Sequence, residues 1–170
     1  MKKEMKFSES KTEFSFDSFE GFVSVQDLWE DKSVIPKIRG VYMVIDPNFQ
    51  DKQFINPGVG GFFKGKDPNV TIEVLNSNVV PGAEVAYIGK AGSPTGKATL
   101  HSRLGQYLRF GQTKNVGHWG GRLIWQIKKH KELIFCWKTL ENEDPRELEK
   151  SLLSNFQSQY GKRPFANLAD

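Results

Sequence analysis

Two β-rich stretches, Arg39-Gly-Val-Tyr-Met-Val-Ile-Asp46 and Glu84-Val-Ala-Tyr-Ile-Gly-Lys90, decide the fold of this chain. Within the first, residues 41–45 form a continuous apolar run bounded by turn-forming residues, which predicts a buried strand. Residues 84–88 have the same character and predict a second strand. The segment between them, residues 46–81, is rich in Gly, Pro and Asn. We therefore expect an insertion built of loops with one short helix or hairpin.

Helices are predicted around these two strands. Residues 19–29 favour a short helix, or a strand followed by a helix, that covers the core. Residues 97–110 place their leucines and one tyrosine on one helical face. Near the C-terminus, Asp144-Pro-Arg-Glu147 combines an N-cap, a proline at the first helical position and a glutamate three residues after the cap. This helix should run to about Tyr160 and end at Gly161.

Two more strands are expected between the helices, at residues 122–127 and 133–140, joined as a hairpin with a basic tip. With the elements above, the order is typical of a small α+β domain with an antiparallel or mixed sheet. The length of 170 residues favours a single domain spanning 1–170, with a loose N-terminal segment at 1–18.

The composition excludes several classes of protein. With 38% hydrophobic and 26% charged residues, the chain is neither disordered nor membrane-spanning, so no membrane partner is expected. Its single cysteine, Cys136, excludes an internal disulfide framework and a cysteine-cluster zinc site. The charged N-terminus has no apolar segment typical of a signal peptide. These features predict a protein of a reducing compartment, the cytoplasm.

Charge is distributed unevenly along the chain, although the formal net charge is only +4. No Asp or Glu occurs between Val85 and Lys131, a stretch of 47 residues. Nine basic residues lie there: Lys90, Lys97, Arg103, Arg109, Lys114, Arg122, Lys128, Lys129 and Lys131. Because ordinary solvated surfaces mix both signs, this stretch indicates a polyanion binder, and DNA is the expected partner. A chance excess of basic residues is the alternative.

Glu149 stands out in the predicted C-terminal helix. At 100° per residue it falls in the middle of the apolar stripe that contains Leu152 and Phe156. Burying an unpaired carboxylate is costly, so Glu149 should either meet a cation or face a cleft at the edge of the core. An internal salt bridge with an arginine and a role as a metal ligand are both open. Arg103 lies on the shoulder of the preceding helix and could pair a carboxylate or clamp a phosphate.

Five short motifs occur in order along residues 38–168. They are Gly40-Val-Tyr42, Tyr87-Ile-Gly89-Lys90-Ala91, Leu100-x-x-Arg103-Leu104-x-x-Tyr107, Glu149-x-x-Leu152-Leu153 and Pro164-Phe-Ala-Asn167. Together they resemble the GIY-YIG endonuclease superfamily. The resemblance implies a central three-stranded antiparallel sheet flanked by helices. The insertion between the first two strands is a departure from the family, because it is much longer than is usual there. The resemblance also implies that the tyrosines lie on neighbouring strands and that the arginine and the glutamate face one cleft.

The activity that the resemblance implies is metal-dependent hydrolysis of DNA phosphodiester bonds. Glu149 would hold one Mg²⁺ ion, for which Mn²⁺ should substitute. Tyr42 would act as the general base on the attacking water, with Lys90 close enough to favour its phenolate. Arg103 would neutralise charge on the phosphate, and Tyr87 would orient the water or the phosphate.

Further residues are expected to support this site. The resemblance implies that Gly40, Gly89 and Asn167 brace it. The predicted DNA-binding residues are Lys90, Arg103, Arg109, Lys114 and Arg122. The insertion is expected to contact DNA through Lys52, Lys64 and Lys66 without contributing to the core.

Three points remain open at the level of sequence. A DNA-binding module that has lost turnover would carry the same fold and charge. Gly60-Gly-Phe-Phe-Lys-Gly-Lys66 has the spacing of a phosphate-binding loop, but Asp67 replaces the Ser or Thr that would bind Mg²⁺, so no nucleotide cofactor is expected. His118 could supply an imidazole to the site or be an internally bonded loop histidine.

Overall fold

A four-stranded antiparallel sheet forms the centre of the computed structural model, which describes residues 16–168. The strands are β1 (Glu20–Ser24), β2 (Gly40–Ile45), β3 (Val85–Ala91) and β4 (Ile134–Thr139). Their order across the sheet is β1-β4-β2-β3. The α+β class and the antiparallel sheet are confirmed, whereas the expected three-stranded sheet has a fourth strand. This strand, β1, is the strand of the predicted strand–helix entry.

Helices cover both faces of the sheet. One face packs against α1 (Val25–Glu30) and α3 (Leu100–Phe110), and the other packs against α4 (Pro145–Tyr160). Because side chains alternate along a strand, β2 contributes Tyr42 and Val44 to the first core and Val41, Met43 and Ile45 to the second. The alternation therefore assigns each residue of the two tyrosine motifs to a face.

Helix α4 is built as its sequence predicts. The Asp144 side chain accepts a hydrogen bond from the Arg146 N–H at 3.0 Å, and Pro145 occupies the first turn. The helix ends at Gly161, which adopts a left-handed conformation with φ 77°. Leu152 and Phe156 are buried against the sheet, so the apolar stripe is the face that anchors the helix.

The predicted strand at residues 122–127 is wrong. A 3₁₀-helical segment, Trp119–Gln126, occupies this position, so β4 has no hairpin partner there. Leu123, Ile124 and Trp125 are all fully buried, whereas a strand would send consecutive side chains to opposite faces. A tight helical turn instead packs three consecutive apolar side chains against α3 and the insertion.

The short helix expected in the insertion is confirmed, but the insertion packs more closely on the core than its turn-rich sequence predicts. It contains two short 3₁₀ helices, Phe49–Asp51 and Phe63–Gly65, and α2 (Ile72–Asn78). Its Leu75 is fully buried in the main core, which corrects the expectation that residues 46–81 stay outside the core. Backbone hydrogen bonds from Ile55 and Val59 to the 3₁₀ segment Trp119–Gln126 anchor it.

The sequence predicts a loose N-terminal segment and no membrane partner. Of the predicted loose segment at 1–18, residues 1–15 lie outside the described residues. Phe16 packs against Phe22 with ring centroids 6.5 Å apart, so the described end of the segment contacts the core. Within residues 16–168, no helix has the length and apolarity needed to cross a membrane.

Candidate active site

A cleft of about 560 Å³ lies along the outer edge of β3. Tyr87 and Lys90 line it from the strand, Glu149 lines it from α4, and Asn167 lines it from the C-terminal segment. These residues come from three of the five motifs and are separated by up to 80 positions in the chain. The sheet edge and α4 thus bring the motifs together around one cavity.

The two tyrosines lie side by side on the α3 face of the sheet. Tyr42 pairs across the strands with Gly89, and Tyr87 pairs with Val44, so both rings project in the same direction. Their ring centroids are 6.0 Å apart. Tyr87 reaches the cleft, whereas Tyr42 is only 1% exposed and lies behind it.

Gly89 makes this arrangement of tyrosines possible. A Cβ atom at position 89 would lie 2.6 Å from the Tyr42 hydroxyl oxygen and 2.9 Å from Cε1 of Tyr87. These distances are shorter than van der Waals contact, so any side chain would force the rings apart. The glycine of the second motif is thereby explained by the close approach of both rings.

His118 occupies a buried position behind Tyr42. Its Nε2 lies 2.5 Å from the Tyr42 hydroxyl, and its ring stacks on Tyr107 with centroids 3.6 Å apart. Burial, followed by the positive charge of Arg103, lowers the pKa of His118 well below its usual value. The imidazole is therefore neutral at neutral pH and can accept the Tyr42 proton at Nε2.

Burial dominates the acidity of both motif tyrosines. Desolvation raises the pKa of Tyr87 to about 12 and raises the pKa of Tyr42 well above its usual value. Arg103 opposes the shift in each case, and Glu149 adds to it. Neither phenol is ionised at neutral pH, so a tyrosine can act as a base here only if its own proton has an acceptor.

Lys90 does not lie where it could favour the phenolate of Tyr42. It follows Gly89 in β3, pairs with Val41 and lies on the opposite face of the sheet from Tyr42. Its charge acts instead on Glu149, whose pKa it lowers. The expectation that Lys90 favours the Tyr42 phenolate is wrong, because strand alternation places the two side chains on different faces.

Arg103 reaches from α3 towards the loop that carries His118. Its Nη1 donates to the Gly117 carbonyl at 3.2 Å and to Gln106 Oε1 at 3.3 Å. It does not pair with Glu149, so the internal salt bridge left open by the sequence is not formed. The guanidinium is half-buried, and its field acts on both motif tyrosines.

Glu149 lies half-buried at the cleft, which is one of the two positions expected for it. It forms no salt bridge with any residue that the structure describes. Desolvation raises the pKa of its carboxyl group, and the cations Lys90, Arg146 and Arg103 oppose the rise. The carboxylate thus faces an open cavity with incomplete compensation, which suits a ligand for a cation.

Within residues 16–168, no three His, Cys, Asp or Glu side chains cluster as a ready-made metal cage. A hard cation would therefore have Glu149 as its protein ligand here and complete its shell with water and substrate oxygens. Mg²⁺ is commonly bound in this way, through one or two carboxylates and phosphate groups. The residues present fit such an ion.

Asn167 braces the outer edge of β3. Its Oδ1 accepts from the Ile88 N–H at 3.0 Å, and its Nδ2 donates to the Ile88 carbonyl at 2.9 Å. Ala166 adds a backbone hydrogen bond to Ala86. Gly40, at the other end of the motif set, packs so closely on the Lys138 carbonyl that a Cβ atom would lie 2.1 Å from its oxygen.

The predicted DNA-binding residues do not all converge on the cleft. Lys90 lines it, whereas Arg103, Arg109, Lys114 and Arg122 are not among its lining residues. Arg109 and Lys114 are exposed on α3 and the following loop. Arg122 is held against Trp119, with its guanidinium 4.5 Å from the ring centroid and Nη1 donating to the Trp119 carbonyl.

Three cations of the cleft were missed by the sequence analysis: Arg146, Lys150 and Arg163. A helical pattern could have revealed the first two. Arg146 and Lys150 lie three residues before and one residue after Glu149, on the side of α4 that also presents Leu153. Arg163 carries no local signal, because only the return of the chain after α4 brings it to the cleft.

The segment 60–66 differs from a phosphate-binding loop. The N–H groups of Gly61, Lys64 and Lys66 donate to Phe110, Asn115 and Phe63, so they are not free to bind a phosphate. No long helix follows it, since α2 begins only at Ile72.

Comparison of the chain with protein-family models, with curated proteins and with solved structures finds no match in any of the three. The motifs and the geometry of the cleft are therefore what indicates the function of this chain.

Proposed function

We propose that this protein is a metal-dependent DNA endonuclease of the GIY-YIG type that hydrolyses phosphodiester bonds. The observation that carries the proposal is the composition of the cleft. Among the described residues that line it, Glu149 is the one carboxylate, and four residues are cationic: Lys90, Arg146, Lys150 and Arg163. A cavity with this balance complements a phosphodiester backbone that brings a divalent cation with it.

In this proposal, the residues of the chain divide the work on one phosphate. Glu149 would hold Mg²⁺, which when bound would polarise the phosphate and stabilise the departing 3′ oxygen. Arg103 would neutralise developing charge on the phosphate oxygens. The cations of α4 and Lys90 would hold the neighbouring phosphates, so that the strand runs along the edge of β3.

Proton transfer would use the tyrosines and His118 together. Tyr87 would contact the attacking water in place of Tyr42, the base expected from the sequence, because Tyr87 lines the cleft and Tyr42 is buried beside it. As water attacks phosphorus and the bond to the 3′ oxygen breaks, the water proton would pass to the tyrosine pair. Tyr87 would pass its own proton to Tyr42, and Tyr42 would pass its proton to Nε2 of His118, which lies 2.5 Å from the Tyr42 hydroxyl.

A supercoiled-plasmid assay with Mg²⁺, and separately with EDTA, tests the proposal. The wild-type protein should nick the plasmid with Mg²⁺ and leave it intact with EDTA. Glu149→Gln should lower the nicking rate by about 10²- to 10³-fold, the loss typical of removing one group that stabilises the transition state. Glu147→Gln is the matched control, because Glu147 is exposed in the first turn of the same helix.

Glu149→Gln should also keep or raise the stability of the metal-free protein. Because the folded-state pKa of Glu149 is raised, the ionised carboxylate costs stability at pH 7, and the cost disappears as pH falls through that pKa. The metal-free melting temperature of Glu149→Gln should therefore equal or exceed that of the wild type at pH 7, with a difference that narrows at lower pH. Full nicking by Glu149→Gln would contradict the proposal.

The alternative of a silent DNA-binding module is separated by the same assay. It predicts that the wild-type protein binds duplex DNA but leaves the plasmid intact with Mg²⁺ and with Mn²⁺.

A further inference from the structure

The outer end of the insertion, residues 62–66, presents an aromatic ring to solvent. Phe62 is 53% exposed, the largest exposed fraction among the large hydrophobic side chains of the described residues. Phe63, its neighbour, turns inward and packs against Gly117, whose Cβ position lies 3.2 Å from the Phe63 ring. We call residues 62–66 the insertion tip. Its sequence, Phe-Phe-Lys-Gly-Lys, combines the exposed ring with two exposed lysines, Lys64 and Lys66.

Hydrogen bonds fix the backbone of the insertion tip. The residue before it, Gly61, donates its N–H to the Phe110 carbonyl at 2.9 Å, at the end of α3. Lys64 donates its N–H to Asn115 Oδ1 at 3.1 Å, and its backbone adopts the left-handed conformation with φ 53°. This conformation is uncommon for a residue other than glycine. The hydrogen bonds of Gly61 and Lys64 hold the backbone in it. Phe62 is therefore presented at a defined position, which lowers the entropy cost of using it in binding.

The insertion tip adjoins the candidate active site through one loop. Phe63 packs on Gly117, and the Gly117 carbonyl accepts the hydrogen bond from Arg103. The next residue is His118, the partner of Tyr42. Two positions further on, a Cβ atom on Gly120 would lie 3.5 Å from the Tyr87 hydroxyl. The loop 117–120 thus connects the insertion tip with Arg103 and Tyr87.

The charge of the insertion tip selects the kind of ligand. Lys64 and Lys66 follow the exposed ring in the chain, and the Lys64 ammonium lies 5.2 Å from the centre of the neighbouring Phe63 ring. Lys114 is exposed on the loop that the tip packs against. Asp67 follows the tip, but its carboxylate accepts hydrogen bonds from the backbone and side chain of Asn69. A single exposed ring among cations suits DNA, because its phosphates meet the lysines and the face of a base meets the ring.

On the basis of the proposed function, we propose that the insertion tip is a DNA-recognition element in which Phe62 enters a base step of the duplex. Lys64 and Lys66 hold phosphates on either side of that step. Apolar side chains inserted in this way partly unstack the bases and bend the duplex. The tip would thereby set the position of the scissile phosphate relative to the cleft, and it would favour base steps that unstack easily.

The test measures the binding of a 30-base-pair duplex by the full chain in EDTA, where no metal-dependent cleavage occurs. The duplex carries 2-aminopurine, a base whose fluorescence rises when it is unstacked. Wild-type protein should raise this fluorescence, and Phe62→Ala should abolish the rise and weaken binding by about tenfold. Phe62→Trp should retain both. Ile72→Ala is the matched control, because Ile72 is 38% exposed on α2 in the same insertion.

The role of Lys64 and Lys66 is tested separately, by the salt dependence of DNA binding. Lys64→Ala combined with Lys66→Ala should reduce the slope of log affinity against log salt concentration by about two, one for each lost phosphate contact. All variants should keep the wild-type melting temperature, since these side chains are exposed.

Three results would overturn the proposal. If Phe62→Ala binds the fluorescent duplex as the wild type does, the ring has no part in DNA recognition while the endonuclease proposal survives. If Phe62→Ala instead abolishes self-association of the protein and leaves DNA binding unchanged, the tip is a protein-binding surface. Absence of any DNA binding by the wild type would overturn this proposal together with the proposed function.

Discussion

The ion pair at the base of the insertion offers a direct test of how the insertion is held. Asp46 directly follows β2 and is fully buried, and Lys52 approaches it with Nζ 3.6 Å from Oδ2. The side chains of Asp46 and Lys52 are only 1% and 6% exposed. The ammonium group also lies 4.5 Å from the centre of the Phe165 ring. The predicted contact of Lys52 with DNA is therefore wrong, because this lysine is committed to the interior.

Lys52→Ala should destabilise the protein strongly. Asp46 Oδ1 accepts a hydrogen bond from the Asn48 N–H at 2.8 Å, but Oδ2 has no hydrogen-bond partner and depends on the charge of Lys52. Removing one partner of a buried pair costs about 3 to 5 kcal/mol. For a domain of this size, each kcal/mol lowers the melting temperature by about 2 to 4 °C, so a fall of about 6 to 20 °C is expected.

Urea denaturation and calorimetry measure this loss. Lys64→Ala is the control, since Lys64 is an exposed lysine of the same insertion, and it should change the free energy of unfolding by less than about 0.5 kcal/mol. The double variant Asp46→Asn, Lys52→Met removes both charges and should recover most of the loss. A change below about 1 kcal/mol for Lys52→Ala, or a double variant no better than the single one, would refute the reasoning.

Two further predictions concern the tyrosine pair. Gly89→Ala should lower the free energy of unfolding by about 1 to 3 kcal/mol and abolish nicking, because its Cβ atom would displace both rings. The control is Gly105→Ala in α3, where the atom nearest to the new Cβ is 3.6 Å away and no loss of stability is expected. Equal stability of the two variants would contradict the prediction. His118→Gln should lower the nicking rate by about 10²- to 10⁴-fold without changing DNA affinity in EDTA. Because the pKa of His118 is held well below its usual value, the wild-type rate should show no inflection near pH 6.5, and one at that pH would refute the assignment of a neutral acceptor.

The elements that the sequence predicts correctly are those whose signals are local. The apolar run of β2 and the cap, proline and terminal glycine of α4 act within a few residues, so neighbours in the chain are enough to determine them. The unusual place of Glu149 in an apolar stripe is local in the same sense, and the structure has it at the edge of the core, facing the cleft. The acid-free stretch, by contrast, shows where charge is concentrated but not which cations share a surface.

The elements and site contacts that the sequence does not predict depend on contacts between distant parts of the chain. The run at residues 122–127 has the composition of a strand, yet burial of Leu123, Ile124 and Trp125 together requires a helical turn. Lys90 was expected beside Tyr42, but the register of β2 and β3 sends the two side chains to opposite faces. The partners of His118 and Lys52, and the arrival of Arg163 at the cleft, depend on how loops close over the sheet. No pattern within one segment encodes such pairs, because their free energy exists only once both segments are packed.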